Sequence, residues 1–136
     1  MLSTKSVYAI KALVYIAINS NKEDYISIKD ISKFEAISVK YLEQIIAQLV
    51  RGNLLISYRG NNGGYKLSKK ISEYNAYEII CVSDKDITKN NVSTEGWSKR
   101  FFDDFNNHLK SYLKSITLID LIKYYEAEIE FGDYCI

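Results

Sequence analysis

Side chains that could bind a nucleic acid are concentrated between residues 38 and 70. This stretch holds six Lys or Arg residues and one acidic residue, although the whole chain carries a net charge of only +1. Basic side chains can neutralise phosphates, and an amide such as that of Gln44 presents both a donor and an acceptor to a base edge. The residue types therefore indicate recognition of double-stranded DNA.

Motifs typical of enzymes are absent from the sequence. There is no glycine-rich loop followed by Lys and Ser or Thr, no HExxH pair, and His108, the single histidine, has no nucleophile at a meaningful spacing. Cys81 and Cys135 lack metal-ligand spacing and are too few for a disulfide framework. We therefore expect no catalytic site, no metal, no cofactor and a reducing, cytoplasmic setting.

A helix with two distinct faces must position the polar groups. Ser38 is suited to cap its start, and Gly52 to end it after Arg51. Apolar residues at i, i+3, i+4 and i+7 predict a buried face formed by Leu42, Ile45, Ile46 and Leu49. The opposite face would carry Lys40, Gln44, Ala47 and Arg51, flanked by Tyr41, Gln48 and Glu43. An ordinary amphipathic surface helix is the alternative, because periodicity reports burial and not function.

A basic hairpin is predicted directly after this helix. Short apolar runs at 54–58 and 65–68 flank Arg59-Gly60-Asn61-Asn62-Gly63-Gly64, and the Asn-Gly step favours the positive φ angles of a tight turn. Positive charge would come from Arg59, Lys66, Lys69 and Lys70. This order is typical of the recognition helix and wing of a winged helix-turn-helix; a solvated hairpin whose glycines only make the turn is the alternative.

Three shorter patterns complete the N-terminal part. Residues 7–18 predict a buried helix with a stripe of Val7, Ile10, Val14 and Ala17, widened by Ala9, Leu13 and Ile16. Lys11 interrupts this run, which is too short to span a bilayer, so we expect neither a signal peptide nor a membrane anchor. Ser27 to Asp30 resembles a capping box for a helix to Lys33 or Phe34. Residues 76–82 predict another short helix, with Ile79 and Ile80 inward, followed by a polar loop.

An aromatic and aliphatic stripe dominates the C-terminal part. A helix of about twenty residues, about 30 Å long, is predicted from Glu95 onward. Its stripe consists of Trp97, Phe101, Phe105, Leu109, Tyr112 and Ile116. We expect a second copy of the chain to cover it, which would set two recognition helices roughly 34 Å apart; packing onto its own domain is the alternative. Thr117 to Asp120 predicts one further short helix toward Tyr125.

The net charge also differs between the N-terminal and C-terminal parts of the chain. Residues 1–80 have a net charge of +4 and residues 81–136 a net charge of −3. We expect a mainly α fold with a small β wing: a winged helix-turn-helix DNA-binding domain over 1–82, a loop over 83–94, and a dimerisation helix with a C-terminal tail over 95–136. The acidic part should not contact DNA.

Three segments together resemble the Rrf-two family of bacterial winged helix-turn-helix transcriptional regulators across nearly the whole chain. They are LSTKSVYAIKALVYIA, ISVKYLEQIIAQLVRGNLLISYRGNNGGYKL, and the run from Trp97 through ITLIDL. The YLEQ and RG-x-x-GGY motifs are the most specific part. The resemblance implies a dimeric transcription factor, usually a repressor, that binds a partly palindromic operator.

The resemblance also implies roles for individual residues. Arg59 would enter the minor groove, and Lys5 would hold a phosphate. The complete candidate set for DNA binding is Lys5, Ser38, Lys40, Tyr41, Glu43, Gln44, Arg59, Gly60 and Lys66. Glu43, the only acid there, could accept a hydrogen bond from a cytosine amino group or pair with Lys40.

One departure from the family pattern concerns the cofactor. Cluster-binding members carry three cysteines in the loop before the long helix, whereas residues 82–96 here contain neither Cys nor His. We therefore expect no iron-sulfur cluster ligated in that manner, and a closer likeness to the cluster-free members.

The signal that the protein would sense stays open at this point. We expect Cys81 to be a buried, inert thiol on a short helix, while Cys135 could be oxidised near the terminus. A small molecule or an effector protein could act instead. A protein-interaction adaptor with the same fold is the alternative function, and it would lack salt-sensitive DNA affinity.

Overall fold

The computed structural model describes residues 2–20, 24–61, 63–89 and 95–134. Within these ranges it contains six α-helices, a two-stranded antiparallel sheet and a 3₁₀ turn at Ile71–Glu73. The helices are α1 (Thr4–Asn19), α2 (Ile28–Glu35), α3 (Val39–Arg51), α4 (Ala76–Ser83), α5 (Trp97–Ser115) and α6 (Leu118–Tyr134). The strands are β1 (Leu55–Tyr58) and β2 (Gly64–Leu67). The predicted mainly α fold with a small β wing is confirmed.

Polar side chains fix the starts of the first four helices. The side chains of Ser3, Ser27, Ser38 and Asn75 each accept a hydrogen bond from a backbone N–H in the first turn of α1, α2, α3 and α4. These N–H groups have no partner inside the helix, so each cap stabilises its helix by about 1 kcal/mol. The predicted starts of α2 and α3 are confirmed.

The core lies between α1, α2, α3 and α4. The predicted inward residues of α3 and α4 are all buried: Leu42, Ile45, Ile46, Leu49, Ile79 and Ile80. The predicted stripe of α1 was wrong at Val7, which is 39% exposed. The predicted Ala9, Leu13, Val14 and Ile16 are buried, and Ala12, which the prediction did not include, is buried with them. Small side chains let α4 pack closely there, and the hydroxyls of Ser6 and Ser83 meet across that contact at 3.1 Å.

Tyr74 joins the end of the hairpin to the core. Its ring is fully buried, and its hydroxyl donates to the carbonyl of Leu54 at 2.6 Å while accepting from the N–H of Ser68 at 3.0 Å. The buried hydroxyl therefore has both its donor and its acceptor role satisfied.

After α5 the chain returns to the segment around Tyr74 and Ala76. The carbonyl of Ile116 accepts from the N–H of Ala76 at 2.8 Å, and the N–H of Leu118 donates to the carbonyl of Tyr74 at 3.3 Å. Leu118 is fully buried, and α6 packs on α1 and on the 3₁₀ turn. The expected short helix toward Tyr125 was wrong in length, because α6 extends to Tyr134 over a segment that begins with the helix formers Glu126, Ala127 and Glu128. No helix in the described part of the chain is long and apolar enough to cross a membrane.

Candidate nucleic-acid interface

The outer face of α3 is polar and accessible. Lys40, Glu43, Gln44 and Arg51 are exposed, whereas the apolar face of the helix is buried. A tight turn sets the direction of α3 after α2: Ala36 adopts a left-handed conformation with φ 52°, and the N–H of Ile37 donates to the carbonyl of Ser32 at 3.2 Å. The Ser32 hydroxyl donates back to the carbonyl of Ile37.

The start of α3 lies beside α1. Ser38 Oγ accepts from the N–H of Tyr41 at 3.2 Å, which leaves the hydroxyl hydrogen of Ser38 available for a phosphate oxygen. The half-buried ring of Tyr41 packs edge-on against Tyr8 of α1, with centroids 6.1 Å apart. Lys5 is half-buried and lies three residues before Tyr8, on the same side of α1.

Glu43 has no ion pair with Lys40, or with any other residue that the structure describes. Of the two roles considered for Glu43, pairing with Lys40 therefore receives no support. The carboxylate is left free to accept a hydrogen bond from a bound molecule.

The hairpin presents Arg59 and Gly60 to solvent. Tyr58 pairs with Gly64, so the connecting loop is the five residues from Arg59 to Gly63. The loop closes through the N–H of Gly63, which donates to the carbonyl of Gly60 at 3.0 Å. Among its described residues, the positive φ lies at Gly60, and Asn62 lies outside them.

A backbone bridge fixes the hairpin to the segment before α2. Ile26 and Tyr65 exchange two hydrogen bonds, each 2.8 Å long. The ring of Tyr25 packs on that of Tyr58, with centroids 5.1 Å apart, and Lys66 Nζ lies 4.8 Å from the centroid of Tyr25. The wing is thus held by contacts with residues more than thirty positions earlier in the chain.

We expect Gly64→Ala to destabilise the protein by about 1–3 kcal/mol, because the new Cβ would lie 2.3 Å from the carbonyl oxygen of Ile26. Backbone cannot rotate away as a side chain can, so the bridge must open. Thermal unfolding followed by circular dichroism measures the loss. Ser57→Ala, at an exposed position of the neighbouring strand, is the control and should change stability little. An unchanged midpoint for Gly64→Ala would show that the bridge is not required.

The basic surface is smaller than the charge count suggests. Lys69 Nζ forms an ion pair with Glu78 at 2.8 Å and lies 4.9 Å from the ring centroid of Tyr74. Its expected contribution to the surface was wrong, because Glu78 largely neutralises it. Lys40, Arg51, Arg59, Lys66 and Lys70 remain free of ion pairs among the described residues.

The aromatic stripe of α5 is largely uncovered in the single chain. Trp97 is 87% exposed, Phe101, Phe105 and Tyr112 are exposed, and Leu109 and Ile116 are half-buried. Phe102, which the periodic pattern did not include, is also exposed and packs against Phe101 with centroids 5.1 Å apart. Its position next to Phe101 in the sequence was the one signal that could have added Phe102 to the predicted stripe. No described residue of α5 is buried, so this face is available for a partner.

Cys81 is half-buried on α4, and burial raises the pKa of its thiol. The neighbouring Tyr77 hydroxyl donates to Asp86 at 2.5 Å, a bond that raises the pKa of Tyr77 to about 12. A thiol with a raised pKa forms little thiolate at neutral pH, which disfavours a redox role for Cys81. Cys135 lies outside the described residues.

The turn between α2 and α3 and the hairpin after α3 together form a winged helix-turn-helix, and the accessible face of α3 carries the polar and basic side chains Lys40, Gln44 and Arg51. The class of protein is therefore a winged helix-turn-helix transcriptional regulator. The chain belongs to the Rrf2 (Rrf-two) family, because the family profile described as an iron-dependent transcriptional regulator matches residues 2–124.

Individual relatives agree with this assignment. The chain is 32% identical over 130 residues to the HTH-type transcriptional regulator IscR of Vibrio atlanticus, covering 90% of this chain and 75% of that relative. The structure of CymR, the global cysteine regulator of B. subtilis, superposes with a TM-score of 0.81 at 32% identity, covering 91% of this chain and 97% of CymR. The structure of T. potens IscR gives a TM-score of 0.77 at 29% identity, covering 94% and 90%. These relatives are regulators and not enzymes.

The family profile names iron, which in a cluster needs suitable protein ligands. Iron-sulfur clusters are held by thiolates, sometimes with imidazoles. Residues 82–96 contain neither, and Cys81 just before them is half-buried with a raised thiol pKa. Within the described ranges, no three His, Cys, Asp or Glu side chains gather as a metal site. The residues of this chain do not fit a cluster held in the segment before α5.

Proposed function

We propose that the protein is a homodimeric, sequence-specific DNA-binding repressor that acts on a partly palindromic operator in the cytoplasm without an iron-sulfur cluster. The observation that carries this proposal is a groove of about 780 Å³ shared by α3 and the wing. Its lining includes Ala47 and Arg51 from α3 and Tyr58, Arg59 and Gly60 from the hairpin. A duplex seated against α3 would thus meet the wing as well.

The candidate DNA-binding side chains divide by chemistry into those suited to base edges, those suited to phosphates, and those that would enter the minor groove or support these contacts. Gln44 and the unpaired Glu43 are suited to base edges, Gln44 to adenine and Glu43 to the amino group of cytosine. Lys40, Arg51, Lys5 and the hydroxyl of Ser38 are suited to phosphates, which position the protein without reading sequence. Arg59 at the start of an exposed loop would enter the minor groove. Tyr41, Gly60 and Lys66 would support these contacts at the borders of the helix and wing.

The exposed aromatic face of α5 supports the dimer. Within this proposal, residues 1–82 bind DNA, 83–94 connect, and 95–136 dimerise and complete the C-terminal tail. A dimer would present two recognition helices to two half-sites, and its occupation of a promoter would block transcription.

Selection of bound duplexes from a random DNA pool, at two salt concentrations, tests the proposal. We expect the wild-type chain to enrich a palindrome, Arg59→Ala to lose that enrichment, and Gln44→Ala to relax the preference at one position of each half-site, at a cost of about 1–3 kcal/mol there. Affinity should fall steeply as salt rises, because phosphate contacts release counterions.

Lys123→Ala is the control for removal of positive charge, since Lys123 is exposed on α6, away from α3 and the wing. It should enrich the same palindrome as the wild-type chain. Absence of enrichment at both salt concentrations would contradict the proposal and favour an adaptor that binds protein.

A further inference from the structure

A second concave site lies on another part of the molecule, between α1, the end of α2 and α6. The cavity has a volume of about 510 Å³. Its walls include the rings of Tyr15, Phe34, Tyr124 and Tyr125 and the carboxylates of Glu35 and Glu128. A volume of this size is within the range of about 300–1,000 Å³ that is usual for small-molecule sites.

The rings form a continuous wall. Tyr15 and Phe34 have centroids 4.6 Å apart, and Phe34 and Tyr125 have centroids 6.1 Å apart. Aromatic faces carry partial negative charge and attract cations that lie over them. Three different helices contribute these rings, so the wall is a product of the fold and not of one local segment.

The charged side chains that line the cavity are net negative, with two carboxylates, Glu35 and Glu128, against one ammonium, Lys11. The side chain of Glu35 is only 13% exposed, and its one charged partner among the described residues is Lys11, whose Nζ lies 3.8 Å away, beyond hydrogen-bond distance. Glu128 adds a second carboxylate. Burial, the nearby carboxylate of Asp30 and Tyr125 together raise the pKa of Tyr15. Lys11 forms an ion pair with Glu35 but no hydrogen bond, so this largely buried carboxylate can still accept hydrogen bonds from a cationic ligand.

We propose that this cavity binds an organic cation, with an ammonium or guanidinium group beside Glu35 and an apolar or aromatic body against the rings. An anion would face the net negative charge that Glu35 and Glu128 give the lining, which Lys11 offsets only in part. A neutral alcohol could pack on the rings and donate one hydrogen bond to Glu35, but it would lack the charge that strengthens that bond and the attraction to the ring faces.

The location connects the cavity to the recognition helix. Phe34 and Glu35 are the last two residues of α2, and they lead through the left-handed Ala36 into the turn that orients α3. A cation that draws Glu35 toward α6 would bias this turn and thereby change DNA affinity. This second step rests on the proposed DNA-binding function, whereas the binding of a cation does not.

Isothermal titration of the full chain with 2-phenylethylammonium, and with its neutral analogue 2-phenylethanol, tests the cavity. We expect the ammonium to bind at least about tenfold more tightly than the alcohol. Glu35→Gln should remove that preference, and Tyr124→Ala should weaken binding of the ammonium. Tyr124 is 67% exposed, so its removal should leave the fold intact. Glu126→Gln removes an exposed carboxylate of α6 that does not line the cavity and should bind like the wild-type chain.

Equal affinity for the ammonium and the alcohol, or no binding of the ammonium at about 10 mM, would overturn the proposal. If a second copy of the chain covers the cavity, the ammonium will not bind, and that result would also overturn the proposal. Operator affinity measured with and without the ammonium separates the two steps: binding without any effect on DNA would overturn the coupling alone. Failure of the ligand-free protein to bind DNA would instead refute the proposed function.

Discussion

Phe105→Glu is expected to convert the proposed dimer to a monomer and to lower operator affinity by at least about a hundredfold. Phe105 is 55% exposed in the single chain and lies within the uncovered aromatic face of α5. A carboxylate placed there would be buried without a partner on association, which is costly. The two half-sites would then have to be bound independently. Analytical ultracentrifugation measures the mass, and gel-shift titration with the selected palindrome measures the affinity.

Asn107→Glu provides a matched control, since it adds the same charge to the same helix at an exposed position outside the stripe. It should leave both mass and affinity close to wild type. A wild-type chain that is monomeric at working concentrations, or a Phe105→Glu chain that still dimerises, would contradict the assignment of α5 as the dimerisation helix.

Leu118→Ala is expected to cost about 2–5 kcal/mol of the free energy of unfolding, the largest stability effect among these predictions. Leu118 is fully buried, and its N–H donates to the carbonyl of Tyr74. Truncation would leave a cavity where the chain returns from α5 to the N-terminal core. Urea unfolding at fixed protein concentration measures the loss, because the stability of a dimer depends on concentration.

Ile119→Ala is the comparison for Leu118→Ala, because Ile119 is the adjacent, only half-buried residue of the same helix. Its cost should be clearly smaller. A loss below about 1 kcal/mol for Leu118→Ala would show that α6 can separate from the core without destabilising it, contrary to the packing described above.

Local signals in the sequence were sufficient for α3 and for the class of fold. Ser38 caps the helix and the i, i+3, i+4, i+7 spacing of Leu42 to Leu49 gives its buried face, and both depend only on near neighbours. The buried face of α1 could be obtained only in part in this way, since Val7 was expected inside and Ala12 was not. Because α1 is apolar on most sides, periodicity allows more than one stripe, and its contact with α4 selects the one centred on Leu13.

Contacts between distant residues account for the features of the site that were missed. Gly52 ends α3 after Arg51 as expected, although the positive φ belongs to Asn53. Gly52 is required for another reason, since a Cβ there would lie 2.3 Å from Val82. The pairing of Lys69 with Glu78 and the bridge between Ile26 and Tyr65 likewise join elements that no spacing rule connects.

The attachment of α5 has a mechanical consequence. Its C-terminal end is fixed where Ile116 bonds to Ala76, and Lys110 and Lys114 lie over the ring of Tyr77 on α4. The helix is 19 residues long, about 28 Å, and it is attached close to its C-terminal end, so a small rotation there displaces its N-terminal end by several ångströms. A tilt of α5 by about 10° about its attached end moves Trp97 by about 5 Å. In a two-fold dimer, a small rearrangement at Tyr77 would therefore change the distance between the two recognition helices. The change would exceed one base-pair step of the duplex, which is about 3.4 Å.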